Sequence, residues 1–178
     1  LVALGLGKTV VEGALSARFC PKYPADLLNI ASVSDTLKNS QSKFFALKMN
    51  TESYFGKTTT DNLIQQYHIA GAEEDGTLKY SASTYLPESE AIYEGLSRKG
   101  PRVITFEPIL KNNLFPLARI LDLLLDMGAW GMGTPVEIEF AVNMKTEPAE
   151  FGFLQMRPLV TRFDSEYLTI REYEESEL

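Results

Sequence analysis

The segment VEIEFAVNMKTEPAEFGFLQMRP, residues 136–158, constrains the fold more than any other part of the chain. Side chains of a strand alternate between two faces. Val136, Ile138, Phe140 and Val142 therefore share one face, and Glu137, Glu139, Ala141 and Asn143 share the other. In the second run Phe153, Gln155 and Arg157 lie opposite Leu154 and Met156. Pairing apolar with apolar predicts a β-hairpin with Glu137, Glu139, Gln155 and Arg157 on one surface. The intervening NMKTEPAE is long enough to hide a bulge, so the register is open at this point.

Two carboxylates two residues apart, with an amide and a guanidinium beside them, can hold a metal and a phosphate together. Mg²⁺ takes one or two carboxylates and completes its shell with nucleotide phosphate oxygens. Arginine offers a rigid fork for phosphate or carboxylate. The plain alternative is a solvated sheet face with a cross-strand Glu–Arg pair.

Elsewhere the pattern is shorter-ranged. LVAL and TVVEG read as strand pieces separated by a turn at Gly5 and Gly7. FCPKYPADLL, with two prolines, predicts an extended connection, and SKFFALKMN, residues 42–50, a strand. Residues 51–62 are polar and read as a loop. NLIQQYHIAG fits a short strand or a helix, and AEEDGTLKYSASTYLPESE a hairpin with a loop. ESEAIYEGLSRKG predicts a short helix closed by Gly100, and GPRVITFEPIL, residues 100–110, a strand. Leu117, Ile120, Leu121, Leu124 and Leu125 recur at helical spacing. Pro116 suits the first turn of that helix and Gly128 the position just past its end. After Thr161 the chain turns acidic. With no internal repeat and no low-complexity linker, one α/β (α+β) unit is the simplest reading, a mixed or antiparallel sheet with packed helices. Its domain is expected over 1–162, with 163–178 an acidic tail or the start of a linker.

Composition excludes several functions. The 178 residues suffice for one domain with a core. A formal net charge of -7 makes a nucleic-acid backbone a poor partner. The single cysteine, Cys20, forms no internal disulfide, which fits a reducing, cytoplasmic setting. With one histidine, His68, any metal is expected to be a hard cation held by oxygen. No apolar run reaches the roughly 18–20 residues of a membrane span. The chain opens without Met and at full hydrophobicity, so a piece of a longer protein is expected. Exposed apolar surface on such a piece favours self-association.

PVEIEFAVN…FGFLQMRPL resembles the end of the ATP-grasp nucleotide-binding domain in the pyruvate phosphate dikinase and phosphoenolpyruvate synthase family. That family ends the domain with an acidic residue, x, Glu, an aromatic, a turn, then Gln-x-Arg. Those positions fall here on Glu137, Glu139, Phe140, Gln155 and Arg157. ALGLGKTVVEG, with Gly5 and Gly7, is similar to the family's glycine segment, and LARILDLLLDMGAWGMG to the helix that leads into the hairpin. The resemblance is not carried by residues 50–100.

The resemblance implies an ATP-grasp-like fragment that binds ATP and Mg²⁺. Glu139 would be a Mg²⁺ ligand, and Gln155 would support the metal or a phosphate oxygen. Arg157 would contact the phosphoryl group being transferred, and Glu137 would join the metal shell or partner Arg157. Gly5 and Gly7 would border the nucleotide. In the whole family protein, ATP phosphorylates a carrier histidine and that histidine phosphorylates pyruvate. The fragment alone is expected to be catalytically silent. Lys8 departs from the pattern, standing where many relatives carry an acidic residue. A second reading follows from it, a non-catalytic nucleotide- or partner-binding module on the same fold.

The remaining chemistry-bearing residues read as structural. His68 lacks the Gly- and Ser-rich context of a carrier histidine. Cys20 has no nearby histidine to activate it. Lys43 and Lys48 read as solvated strand lysines, with a lysine facing a nucleotide as the alternative; GAWGMG reads as a helix stop and turn, and Trp130 as a buried anchor with a base-stacking platform as its alternative.

Overall fold

The computed structural model describes residues 1–27, 32–49 and 63–160. The loop expected over 51–62 and the tail after Thr161 lie outside these residues. The described chain is mixed helix and sheet, and its strand pairs are all antiparallel.

At the start, Val2 bridges to Ala17, and a single helical turn, α1 (Lys8–Val11), interrupts the segment. The strand expected at TVVEG is therefore corrected to a helix. Thr9, Val10 and Val11 favour strands as isolated residues. Gly5, at a φ of 89°, turns the chain instead, and the N–H groups of Val10 and Val11 both bond the Gly7 carbonyl. Phe19–Cys20 (β1) and Tyr23–Leu27 (β2) pair as a short bulged hairpin, so the extended connection is also hydrogen-bonded. Helix α2 (Val33–Asn39) starts at Ser32, whose hydroxyl accepts from Asp35 N–H at 3.1 Å.

Strands β3 (Lys43–Leu47) and β4 (Ile64–His68) pair in regular register, from Lys43 opposite His68 to Leu47 opposite Ile64. β4 runs directly into α3 (Ile69–Glu74), so the ambiguous segment is both strand and helix. A 3-10 turn at Leu78–Tyr80 leads to β5 (Ala82–Leu86), the centre of a three-stranded sheet with β6 (Ala91–Glu94) and β7 (Arg102–Ile104) as its edges. The helix expected over ESEAIYEGLSRKG is thus corrected to a strand. Ile92 and Tyr93 find cross-strand partners in Tyr85 and Thr84, and this pairing overrides the local helical reading.

Helix α4 (Glu107–Leu110) follows, then α5 (Leu117–Met132), then the hairpin of β8 (Val136–Asn143) and β9 (Glu150–Pro158). Pro116 sits one residue before the first turn of α5, at its N-cap position, and the helix does not stop at Gly128. It runs on to Met132 and ends at Gly133, whose φ of 66° suits glycine. Gly128 is buried within the helix because the hairpin lies against it. A Cβ there would sit 2.6 Å from Met156 Sδ and 2.8 Å from Val136 Cγ2. Close approach outweighs the propensity cost of a mid-helix glycine.

One core joins these parts. Leu78, Ala82, Ile104, Phe106, Leu110, Leu117 and Leu121 are buried at its centre. Phe140, Val142 and Phe151 of the hairpin pack onto it together with Val2, Leu4 and Phe44. The hairpin's apolar face is thereby fixed inward, which leaves its polar face outward.

Candidate functional site

The register of the hairpin makes Glu137 the partner of Arg157, and Glu139 the partner of Gln155. Residues directly opposite in an antiparallel pair project from the same face, so the four polar residues share one surface. Val136 and Ile138, opposite Pro158 and Met156, take the other face.

A bulge interrupts the pairing after Glu139, and it lies within β9 rather than in the connecting loop. Gln155 faces Glu139, yet the next pair is Phe140 with Phe153, so Leu154 is the extra residue. Phe153 consequently joins the face of Phe140 and Met156, a correction to the strict alternation that groups it with Gln155. Beyond the bulge Phe151 stacks on Phe140 at 5.7 Å between ring centroids. Leu154, unpaired, is exposed. The bulge keeps both the apolar residues before it and the polar residues after it on their proper sides.

The four side chains divide into two sets. Arg157 Nε donates to Glu137 Oε1 in an ion pair across the strands. Both side chains are well solvated, and such pairs contribute about 0–1 kcal/mol. Bonding through Nε leaves the two terminal nitrogens of the guanidinium available as a fork. Glu139 and Gln155 are exposed and make no side-chain hydrogen bond among the described residues. Their carboxylate and amide oxygens are free acceptors held side by side by the backbone.

Gly5 and Gly7 belong to a different attachment. Leu6 N–H donates to the Phe45 carbonyl at 2.9 Å, which ties the glycine segment to β3. Gly5 has φ of 89°, and a Cβ there would stand 2.6 Å from the Phe45 oxygen. Gly7 caps α1. The hydrogen bonds and ion pairs described for this segment reach β3 and Gln41, and none reaches the hairpin's polar face. Lys8 lies 3.5 Å from Glu12 and 5.3 Å from the Phe45 ring centroid. Its charge is thus shared between a helix pair and a ring face.

Sequence reasoning missed Gln41. It is buried, and its amide accepts from Leu4 N–H and donates to the Leu4 and Lys43 carbonyls, each at 2.8 Å. This clamp holds the glycine segment against β3. A glutamine between two serines carries no local signal of such a role. His68 caps α3, its Nδ1 accepting from Ala70 N–H at 3.3 Å. Lys43 and Lys48 are exposed, as expected. Trp130 is not a buried anchor; it is 90% exposed on α5.

Among the described residues no three His, Cys, Asp or Glu side chains gather as a metal cage. The pair Glu139 and Gln155 fits a hard cation that brings most of its own ligands, such as Mg²⁺ carried on phosphate oxygens. No helix among the described residues is long and apolar enough to cross a membrane. No protein-family model matches the chain, and no curated protein or solved structure matches it either.

Proposed function

We propose that the outer face of the β8–β9 hairpin is the metal- and phosphate-binding edge of an ATP-grasp nucleotide-binding domain. The protein it serves would be a phosphotransferase similar to phosphoenolpyruvate synthase and pyruvate phosphate dikinase. It would take Mg-ATP, pass a phosphoryl group to a carrier histidine, and use pyruvate as the final acceptor. The observation that carries this reading is the cross-strand pairing of Glu137 with Arg157 and Glu139 with Gln155 on one exposed face.

Each residue has a task that its surroundings allow. Glu139 and Gln155 present unengaged oxygens that would hold Mg²⁺, with phosphate oxygens completing its shell. Bound there, the cation would draw negative charge from the phosphates. Arg157 would aim its terminal nitrogens at the same phosphates, and Glu137 fixes the guanidinium by its Nε bond. Phosphoryl transfer asks chiefly for such positioning and charge stabilisation. The buried side of the hairpin supports the site: Phe140 and Phe151 stack against the core and hold the two strands in register.

The test is calorimetry of Mg-ATP binding by the intact phosphotransferase, beside the Arg157→Ala and Glu139→Ala variants. The reading expects binding in the parent and at least a tenfold loss in each variant. Binding that both variants retain would place the nucleotide elsewhere. A folded parent that binds no Mg-ATP would favour the non-catalytic module, for which the engaged Lys8 is the supporting observation.

A further inference from the structure

The solvent side of α5 carries an apolar stripe. Leu123, Met127 and Trp130 are spaced as i, i+4 and i+7, and their exposures are 60%, 58% and 90%. A helix in a single copy normally keeps that side polar. Beside the stripe lies a groove of about 460 Å³, lined by Leu124, Met127, Gly131, Met132, Phe153 and Met156, with Gly128 at its floor. Nothing lies within 4 Å of where a Cβ on Gly131 would be. Residues 127–136 contain no charge, in a chain whose net charge is -7.

We propose that this surface docks a second copy of the chain, α5 against α5, antiparallel about a twofold axis. Charge supplies the first argument. Arg119 and Asp126 are exposed on the same edge of the stripe, and neither forms an ion pair among the described residues. An antiparallel crossing centred between Asp122 and Leu123 sets each Arg119 opposite Asp126 of the second copy, twice over by symmetry. Asp122 lies further round the helix, away from the seam. Apolar fit supplies the second argument. The same register places Trp130 and Gly131 opposite the stretch Leu114–Pro116 of the second copy. Leu114 is 55% exposed, so one crossing brings an exposed leucine to the open groove and covers both tryptophans. A contact built on one helix and its flanks is at the small end of specific interfaces, so association depends on concentration. The proposal stands independently of the hairpin's function.

Trp130 is the sole tryptophan, so its fluorescence reports on the surface directly. The experiment is sedimentation velocity over a concentration series, with Trp130 emission and acrylamide quenching on the same samples. The expected result is a monomer–dimer equilibrium in which emission shifts to shorter wavelength as dimer forms. Met127→Glu should raise the dissociation constant at least tenfold, with circular dichroism showing that the variant is folded. Arg119→Asp and Asp126→Arg should each weaken the dimer severalfold, and the two together should restore it to within about threefold of the parent. A monomer throughout the series overturns the proposal. So does a dimer indifferent to Met127→Glu, a double charge swap no tighter than the single ones, or a Trp130 already shielded in the monomer.

Discussion

Gly128 and Met156 meet where α5 crosses the hairpin, so closely that a Cβ on residue 128 would lie 2.6 Å from the methionine sulfur. The side chain of Val136 closes the same space from the other strand, 2.8 Å away. Alanine at this position would gain helix propensity of up to about 1 kcal/mol. Overpacking costs about 1–3 kcal/mol, and at a contact formed from two strands it wins. Gly128→Ala is therefore expected to lower the unfolding free energy by about 1–2 kcal/mol. Denaturant melts of the two proteins decide it, and an unchanged or raised midpoint would mean that Met156 moves aside freely.

Gln41 offers a sharper case, because its amide is the partner of three backbone groups. Gln41→Leu keeps the volume but leaves the Leu4 N–H and two carbonyls without their partner. A buried polar group left unsatisfied costs about 1–3 kcal/mol. The expected loss is about 2–4 kcal/mol, for groups that are only partly buried. Hydrogen exchange should show the amides of Leu4 and Leu6 losing protection before those of β5.

The bulge at Leu154 predicts an asymmetry between neighbouring deletions. Removing Leu154 leaves Gln155 opposite Glu139 and Phe153 opposite Phe140, so both faces are preserved. That deletion is expected to change stability by less than about 1 kcal/mol, within the range of most surface changes. Removing Phe153 instead takes away an apolar partner and moves exposed Leu154 to the inner face. It should cost more than the Leu154 deletion in the same melt, and equal costs would argue against the register.

Much of this architecture is legible in the residues. The two faces of the hairpin follow from strict alternation at Val136–Val142, and the α5 core from Leu117, Leu121 and their helical neighbours. What is hidden depends on contacts between distant segments. Phe153 is apolar on either face, so its neighbours in sequence do not reveal the bulge. The segment ESEAIYEGLSRKG reads as a short helix until β5 supplies partners for Ile92 and Tyr93. Gly128 looks like a helix stop until Met156 is seen against it, and Trp130 looks like core because its size usually places it there. Of the site, Glu137, Glu139, Gln155 and Arg157 come together as the sequence pattern expects. The turn at Gly5 and Gly7 is held to β3 through the Leu6 N–H, a bond that no local motif encodes.

Glu139 is the residue on which the functional reading turns. It is exposed and has no partner among the described residues, so Glu139→Gln should leave stability within about 0.5 kcal/mol of the parent. A residue that can be changed without structural cost is a clean probe of ligand binding. The most direct measurement is a titration of this chain with Mg-ATP, followed by backbone amide chemical shifts. The account predicts weak, saturable shifts concentrated at Glu139, Gln155 and Arg157, dependent on Mg²⁺ and lost in Glu139→Gln. Shifts absent at millimolar Mg-ATP, or unchanged in that variant, would contradict it.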